Sequence, residues 1–131
     1  MSDREENSVI AALSKLFDQY QIDIMIETGR RLTVDAGAPV LRQGYDGKVL
    51  LVLVGGTAVV TRDGERVAEL GPGDVFGEGA ALSWHQRNAA VTAETDLELL
   101  GFTAGNVATL LRRAPNIGNR LRQLADDRLP T

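Results

Sequence analysis

Glu78 and Arg87, two residues of opposite charge, stand nine positions apart in a frame of small residues, the segment FGEGAALSWHQR from Phe76 to Arg87. Gly77, Gly79, Ala80 and Ala81 would let a ligand come close to the backbone. Gly77-Glu78 is expected to open a short helical turn that runs through Gly79, Ala80, Ala81 and Leu82. The first turn of a helix has N–H groups without intrahelical partners and a partial positive charge, so it can seat an oxyanion. Arg87 would bring a full positive charge and paired donors to the same anion. A carboxylate beside a phosphate is repulsive unless it has a different partner, and for Glu78 a sugar hydroxyl is such a partner. Turn, arginine and carboxylate together describe a ligand with both a sugar and a phosphate.

Each residue also has a plainer role. Glu78 alone could be a charge favourable at a helix N-terminus, and Arg87 alone an ordinary surface arginine. Their joint spacing inside the glycine frame favours the ligand. Trp84 reads as a loop aromatic folding over the core, or else a lid or partner contact, His85 as a solvated loop residue, and Arg112, Arg113, Arg120, Arg122 and Arg128 as solvated helix faces with local salt bridges.

The elements that must position these residues can be read from hydropathy and turn signals. Ser8 to Tyr20 has Val9, Leu13, Leu16, Phe17 and Tyr20 at spacings of three and four, which predicts a packed helix within an N-terminal helical part over about 8–28. From 31 to 102 short Val- and Leu-rich runs are cut by Gly at 37, 44, 47, 55, 56, 64, 71, 73 and 77, the pace of strands in a sandwich or barrel. Asp63-Gly64, between VVTR and ERVAEL, suits a two-residue hairpin turn. Gly71 and Gly73 allow a tight turn before a short strand at Asp74 to Phe76, and Asn88–Ala93 and Asp96–Phe102 are expected to be strands. Thr103 can cap a helix over AGNVATLLRR, and Pro115 both ends it and suits the first turn of the next, where Ile117, Leu121, Leu124 and Leu129 form an apolar face. The helical pair covers 103–129. The fold class expected is α+β, mainly β: an antiparallel β-roll, jelly-roll-like, with an N-terminal helix, a short helix in the Phe76–Arg87 segment and two C-terminal helices. One domain over 1–131 uses the whole chain.

Composition narrows the chemistry. A chain of 131 residues with 44% hydrophobic residues has the size of one core. With no cysteine there are no disulfides, thiolate metal sites or thiol catalysis, and with one histidine no multi-imidazole metal centre, which argues against a metalloenzyme of the cupin type. No nucleophile with an adjacent base is visible, so an enzyme is not expected. A net charge of -4 argues against duplex nucleic acid as a partner. No stretch approaches the ~20 apolar residues of a membrane span, and MSDREENSV lacks the build of a secretory signal, so a cytoplasmic location is expected.

The segment Gly71 to Ala89 resembles the phosphate-binding cassette of cyclic-nucleotide-binding domains, the family of the bacterial catabolite activator protein and the protein kinase A regulatory subunit. The resemblance extends to Gly37 followed by PVLRQG, Gly56 before TAVVTRDG, the LGPGDVFGE run, and TDLELLGF leading into two helices. It implies a ligand, cAMP in preference to cGMP, and no prosthetic group. By the resemblance, Glu78 binds the ribose 2′-hydroxyl, Arg87 the exocyclic phosphate oxygens, and the Gly79 and Ala80 amides the phosphate. Gly77, Asn88 and Ala89 complete the cassette, Val60 and Leu70 line the base, and Arg128 could stack on it. Asn88 stands where relatives carry Ser, Thr or Ala, and having both a donor and an acceptor it does not decide the base. Gly79 replaces a bulky aliphatic residue, and Gln86 replaces a proline.

The first expectation is therefore a receptor whose ligand shifts the helical pair against a protein partner, an output domain or a second subunit, with homodimerisation through the last helix as one possibility. That helix could equally pack on its own roll. The second is an interaction module that keeps the fold and has lost the ligand, with Gly79 and Gln86 in its favour. These 131 residues hold no output domain, so a stand-alone sensor and a fragment of something larger are both expected possibilities.

Overall fold

The run Val49–Gly55, VLLVLVG, is apolar at every side-chain-bearing position, and a strand of that kind needs cover on both faces. The structure, a computed structural model, supplies it. Residues 10–41, 49–78 and 90–128 are described, with the backbone alone for 49, 77, 78, 122 and 124–128. Among the described residues eight antiparallel strands follow in order: β1 Arg30–Val34, β2 Pro39–Leu41, β3 Val49–Gly55, β4 Ala58–Arg62, β5 Glu65–Leu70, β6 Val75–Glu78, β7 Ala90–Ala93 and β8 Leu97–Thr103. They form two four-stranded sheets, ordered β1-β8-β3-β6 and β2-β7-β4-β5. Three helices complete the described fold: α1 Gln19–Thr28, α2 Ala104–Arg113 and α3 Pro115–Arg128.

Alternation along β3 divides the interior in two. Leu51 and Leu53 face the second sheet, with Ala58, Val60, Leu70, Phe76, Val91, Leu97 and Leu99. Leu50, Val52 and Val54 face the helices, with Leu13, Phe17, Ile22, Met25, Leu110, Ile117 and Leu121. Each large side chain fully buried here contributes about 1.5–3 kcal/mol, so the first sheet is anchored from both sides. This mainly β, antiparallel architecture with terminal helices is the expected fold class; the short helix of the Phe76–Arg87 segment lies outside the described residues.

The Asp63-Gly64 hairpin is present. Both residues have positive φ, 53° and 83°, as a type I′ turn requires. Its strands pair Val60 with Ala68 but Thr61 with Arg66, which leaves Val67 as an extra residue, 41% exposed.

At the N-terminus the expected single helix over Ser8–Tyr20 is corrected. A helical turn at 10–13 gives way to turns, and α1 starts afresh at Gln19. Asp18 is the reason: its carboxylate accepts from the Gln21 N–H at 2.8 Å while the Gln21 side chain accepts from the Asp18 N–H at 2.9 Å. This reciprocal cap opens a new helix and turns Tyr20 outward, 73% exposed, whereas Leu13 and Phe17 stay in the core. The expected C-terminal elements hold. Thr103 caps α2, its hydroxyl accepting from the Asn106 N–H at 3.1 Å, and Pro115 is the first residue of α3. Ile117 and Leu121 turn into the chain's own core.

Candidate functional site

The approach to Glu78 is built by the sequence LGPGD. Pro72 fixes one turn dihedral and Gly73 takes φ +94°, the combination a type II turn needs. The Asp74 N–H donates to the Gly71 carbonyl at 3.0 Å, and the Asp74 carboxylate accepts from the Gly71 N–H at 2.7 Å. The turn is tied to β3 by Gly73 N–H to Leu53 carbonyl, 2.8 Å, and Leu53 N–H to Asp74 carbonyl, 2.9 Å. A Cβ on Gly73 would stand 3.1 Å from the Ala12 carbonyl oxygen, so the N-terminal helical turn closes over this corner.

From the turn the chain enters β6. Gly77 and Glu78, expected to begin a helical turn, are instead its last two residues, with Gly77 opposite Leu50 and Glu78 opposite Val49. The ladder with β3 continues to the end of the apolar run, and this pairing outweighs the weak strand preference of glycine. Glu78 is thus delivered by a central sheet rather than by a loop.

Val60 and Leu70 come from neighbouring strands, β4 and β5, and converge inside the roll with no exposed surface. Phe76, two residues before Glu78, is packed in the same cluster. Phe76 is not among the expected site residues, although strict alternation in a strand starting at Asp74 separates Val75 from Phe76. Gly79, Ala80, Arg87, Asn88 and Ala89 lie outside the described residues. Arg128 is the last residue of α3, and its side chain is likewise outside the description.

Among the described residues no cluster of His, Cys, Asp or Glu is grouped to hold a metal ion. No described helix is long and apolar enough to cross a membrane.

Residues 31–114, more than half of the chain, match the family model described as Cyclic nucleotide-binding domain. A cyclic nucleotide-gated potassium channel of Mesorhizobium japonicum is 33% identical over 126 residues, which is 93% of this chain and 35% of the channel. The cyclic AMP receptor protein of Thermus thermophilus is 30% identical over 114 residues, 83% of this chain and 53% of that protein. The crystal structure of the Thermus thermophilus catabolite activator protein superimposes with a TM-score of 0.74 at 29% identity, covering 86% of this chain and 55% of that one. The chain therefore spans about a third to a half of the length of these relatives. With the two-sheet roll, its glycine-framed turn into Glu78 and the helical pair that follows, the chain belongs to the cyclic nucleotide-binding domain family.

Proposed function

We propose that the chain is a receptor domain for a cyclic nucleotide, cAMP in preference to cGMP, which passes binding through α2 and α3 to a protein partner, an output domain or a second subunit. The observation that carries this reading is the placement of β6. The strand ends at Glu78, its Phe76 packs inside the roll and its Val75 packs beneath α3. A ligand held at Glu78 acts on a strand whose other face supports the last helix, and a shift of that helix is a differential contact a partner can read.

In this reading Glu78 accepts from the ribose 2′-hydroxyl and Arg87 donates to the exocyclic phosphate oxygens. The amides of Gly79 and Ala80 donate to the phosphate, Gly77, Asn88 and Ala89 frame the cassette, Val60 and Leu70 face the base, and Arg128 stacks over it. The name of the Thermus relative, a cyclic AMP receptor protein, supports cAMP. The domain works by binding, without catalysis and without a prosthetic group, and we place it in the cytoplasm.

A second reading is favoured by the complete burial of Val60 and Leu70 and by Gly79 and Gln86 in the cassette: the domain keeps the fold, has lost the ligand and serves as an interaction module. Calorimetry with cAMP and cGMP separates the two. The receptor reading expects saturable heat that Arg87→Ala abolishes. No heat and no thermal shift at millimolar nucleotide would sink it, and full affinity in Arg87→Ala would show that the phosphate lies elsewhere.

A further inference from the structure

Strand β1 is the outer strand of its sheet, hydrogen-bonded to β8 on one side and to no other strand on its other side among the described residues. Beside it runs an open groove of about 480 Å³, whose lining includes Thr28, Arg30, Leu32, Phe102, Thr103 and Asn106. Two glycines make room for it. A Cβ on Gly29 would come 2.9 Å from the Phe102 ring, and a Cβ on Gly101 would come 2.9 Å from Leu32 Cδ1. Leu32, 38% exposed, offers an apolar side chain at the strand edge.

The groove is positive on a chain that is negative overall. The Arg30 side chain is exposed and makes no ion pair or hydrogen bond with another described residue. The lining contains no acid. The first turn of α2, which begins at the groove, has none either, so the positive end of the helix is uncompensated there. The nearest acid in sequence, Glu27, is turned to Arg113 at 3.7 Å.

We propose that β1 and this groove form a docking site for an extended acidic segment of a partner protein. The segment adds a strand to the free edge of β1, its backbone pairing with the outward N–H and carbonyl groups. A carboxylate of the segment lies against Arg30, and an apolar neighbour rests on Leu32. Charge selects this occupant over a second copy of the chain, because a second β1 would bring a second exposed Arg30 to the same five-residue edge, and like charges on an edge strand keep copies apart. The site does not depend on the nucleotide reading, since none of its residues belongs to the cassette.

The test uses the whole chain, isotopically labelled for amide resonances, and a capped synthetic peptide of alternating valine and glutamate, with a valine–lysine peptide as control. The acidic peptide is expected to shift the amides of 30–34 and 101–106 saturably, more weakly as salt is raised, while the lysine peptide leaves them unmoved. Arg30→Glu, at an exposed position where the melting temperature should hold, is expected to weaken binding about fivefold. The proposal is overturned by equal response to both peptides, by shifts centred elsewhere, by unchanged affinity in Arg30→Glu or by no binding at millimolar peptide. Concentration-dependent broadening at 30–34 without peptide would give the edge to a second copy and overturn it as well.

Discussion

Val75 and Phe76 are neighbours in the chain and lie on opposite faces of one sheet, Val75 with Ile117 and Leu121 beneath α3, Phe76 with Val60 and Leu70 inside the roll. The two cores of the molecule thus share a wall, and the wall is the strand that carries Glu78. Because packed interiors are dense, a change on one face of such a strand is felt on the other. Ile117→Ala is expected to cost about 2–5 kcal/mol, the range for truncating a buried isoleucine, read by urea unfolding. A loss below about 1 kcal/mol would mean that α3 does not bear on β6 as described.

The proposed role of Glu78 makes a prediction that its position alone does not. If its carboxylate accepts from the 2′-hydroxyl, the chain should bind cAMP more tightly than 2′-deoxy-cAMP by roughly tenfold to a hundredfold, the worth of a hydrogen bond to a charged group. Glu78→Ala should then bind both nucleotides equally. A wild-type chain indifferent to the 2′-hydroxyl, yet sensitive to Arg87→Ala, would remove Glu78 from the sugar while leaving the phosphate in place.

Two glycines separate backbone strain from crowding. Gly64 has φ +83° and nothing within 4 Å of the space a Cβ would occupy, whereas Gly56, φ +92°, would drive a Cβ into the Asp96 carbonyl oxygen. Gly64→Ala should therefore cost only the left-handed backbone penalty, about 1–2 kcal/mol. Gly56→Ala should cost several times more, because the turn between β3 and β4 must also move away from the turn between β7 and β8. Thermal unfolding of the pair checks this, and equal losses would show that the Asp96 contact can relax freely.

Much of this was legible beforehand because it rests on local chemistry. Asp63-Gly64, Thr103 and Pro115 act through their own dihedrals and hydrogen bonds, and the structure places them at the hairpin, the α2 cap and the start of α3. The failures have a different origin. Leu13, Leu16, Phe17 and Tyr20 keep helical spacing across Asp18, so periodicity alone joined two segments that the Asp18–Gln21 cap divides. The signal was present as an Asp followed three residues later by Gln. Gly77-Glu78 read as a helical start because small residues suit one, but which partner the backbone takes is decided by β3, about 28 residues earlier in the chain. Non-local pairing of this kind leaves no mark on a short window. The same holds for the edge position of β1, which depends on β8 lying beside it rather than on RRLTV itself.

The expected apolar face of the last helix bears on self-association. Of Ile117, Leu121, Leu124 and Leu129, the first two are buried in the chain's own core, while Leu129 and the Leu124 side chain lie outside the described residues. Exposing Ile117 and Leu121 would undo the packing against Val75 and Leu110. Among the described residues the large exposed apolar side chains are Tyr20, Leu32 and Val67, which sit on α1, β1 and β5 rather than in one patch. A stable interface buries roughly 1,000 Å² or more with a contiguous apolar centre, and among the described residues these scattered side chains do not supply one. Light scattering is therefore expected to give a monomer for this chain at micromolar concentration, with and without cAMP. A dimer that Leu121→Ala dissociates would show that α3 leaves the roll to pair with its copy, and the partition of Val75 and Phe76 between two cores would then describe only one of two packings.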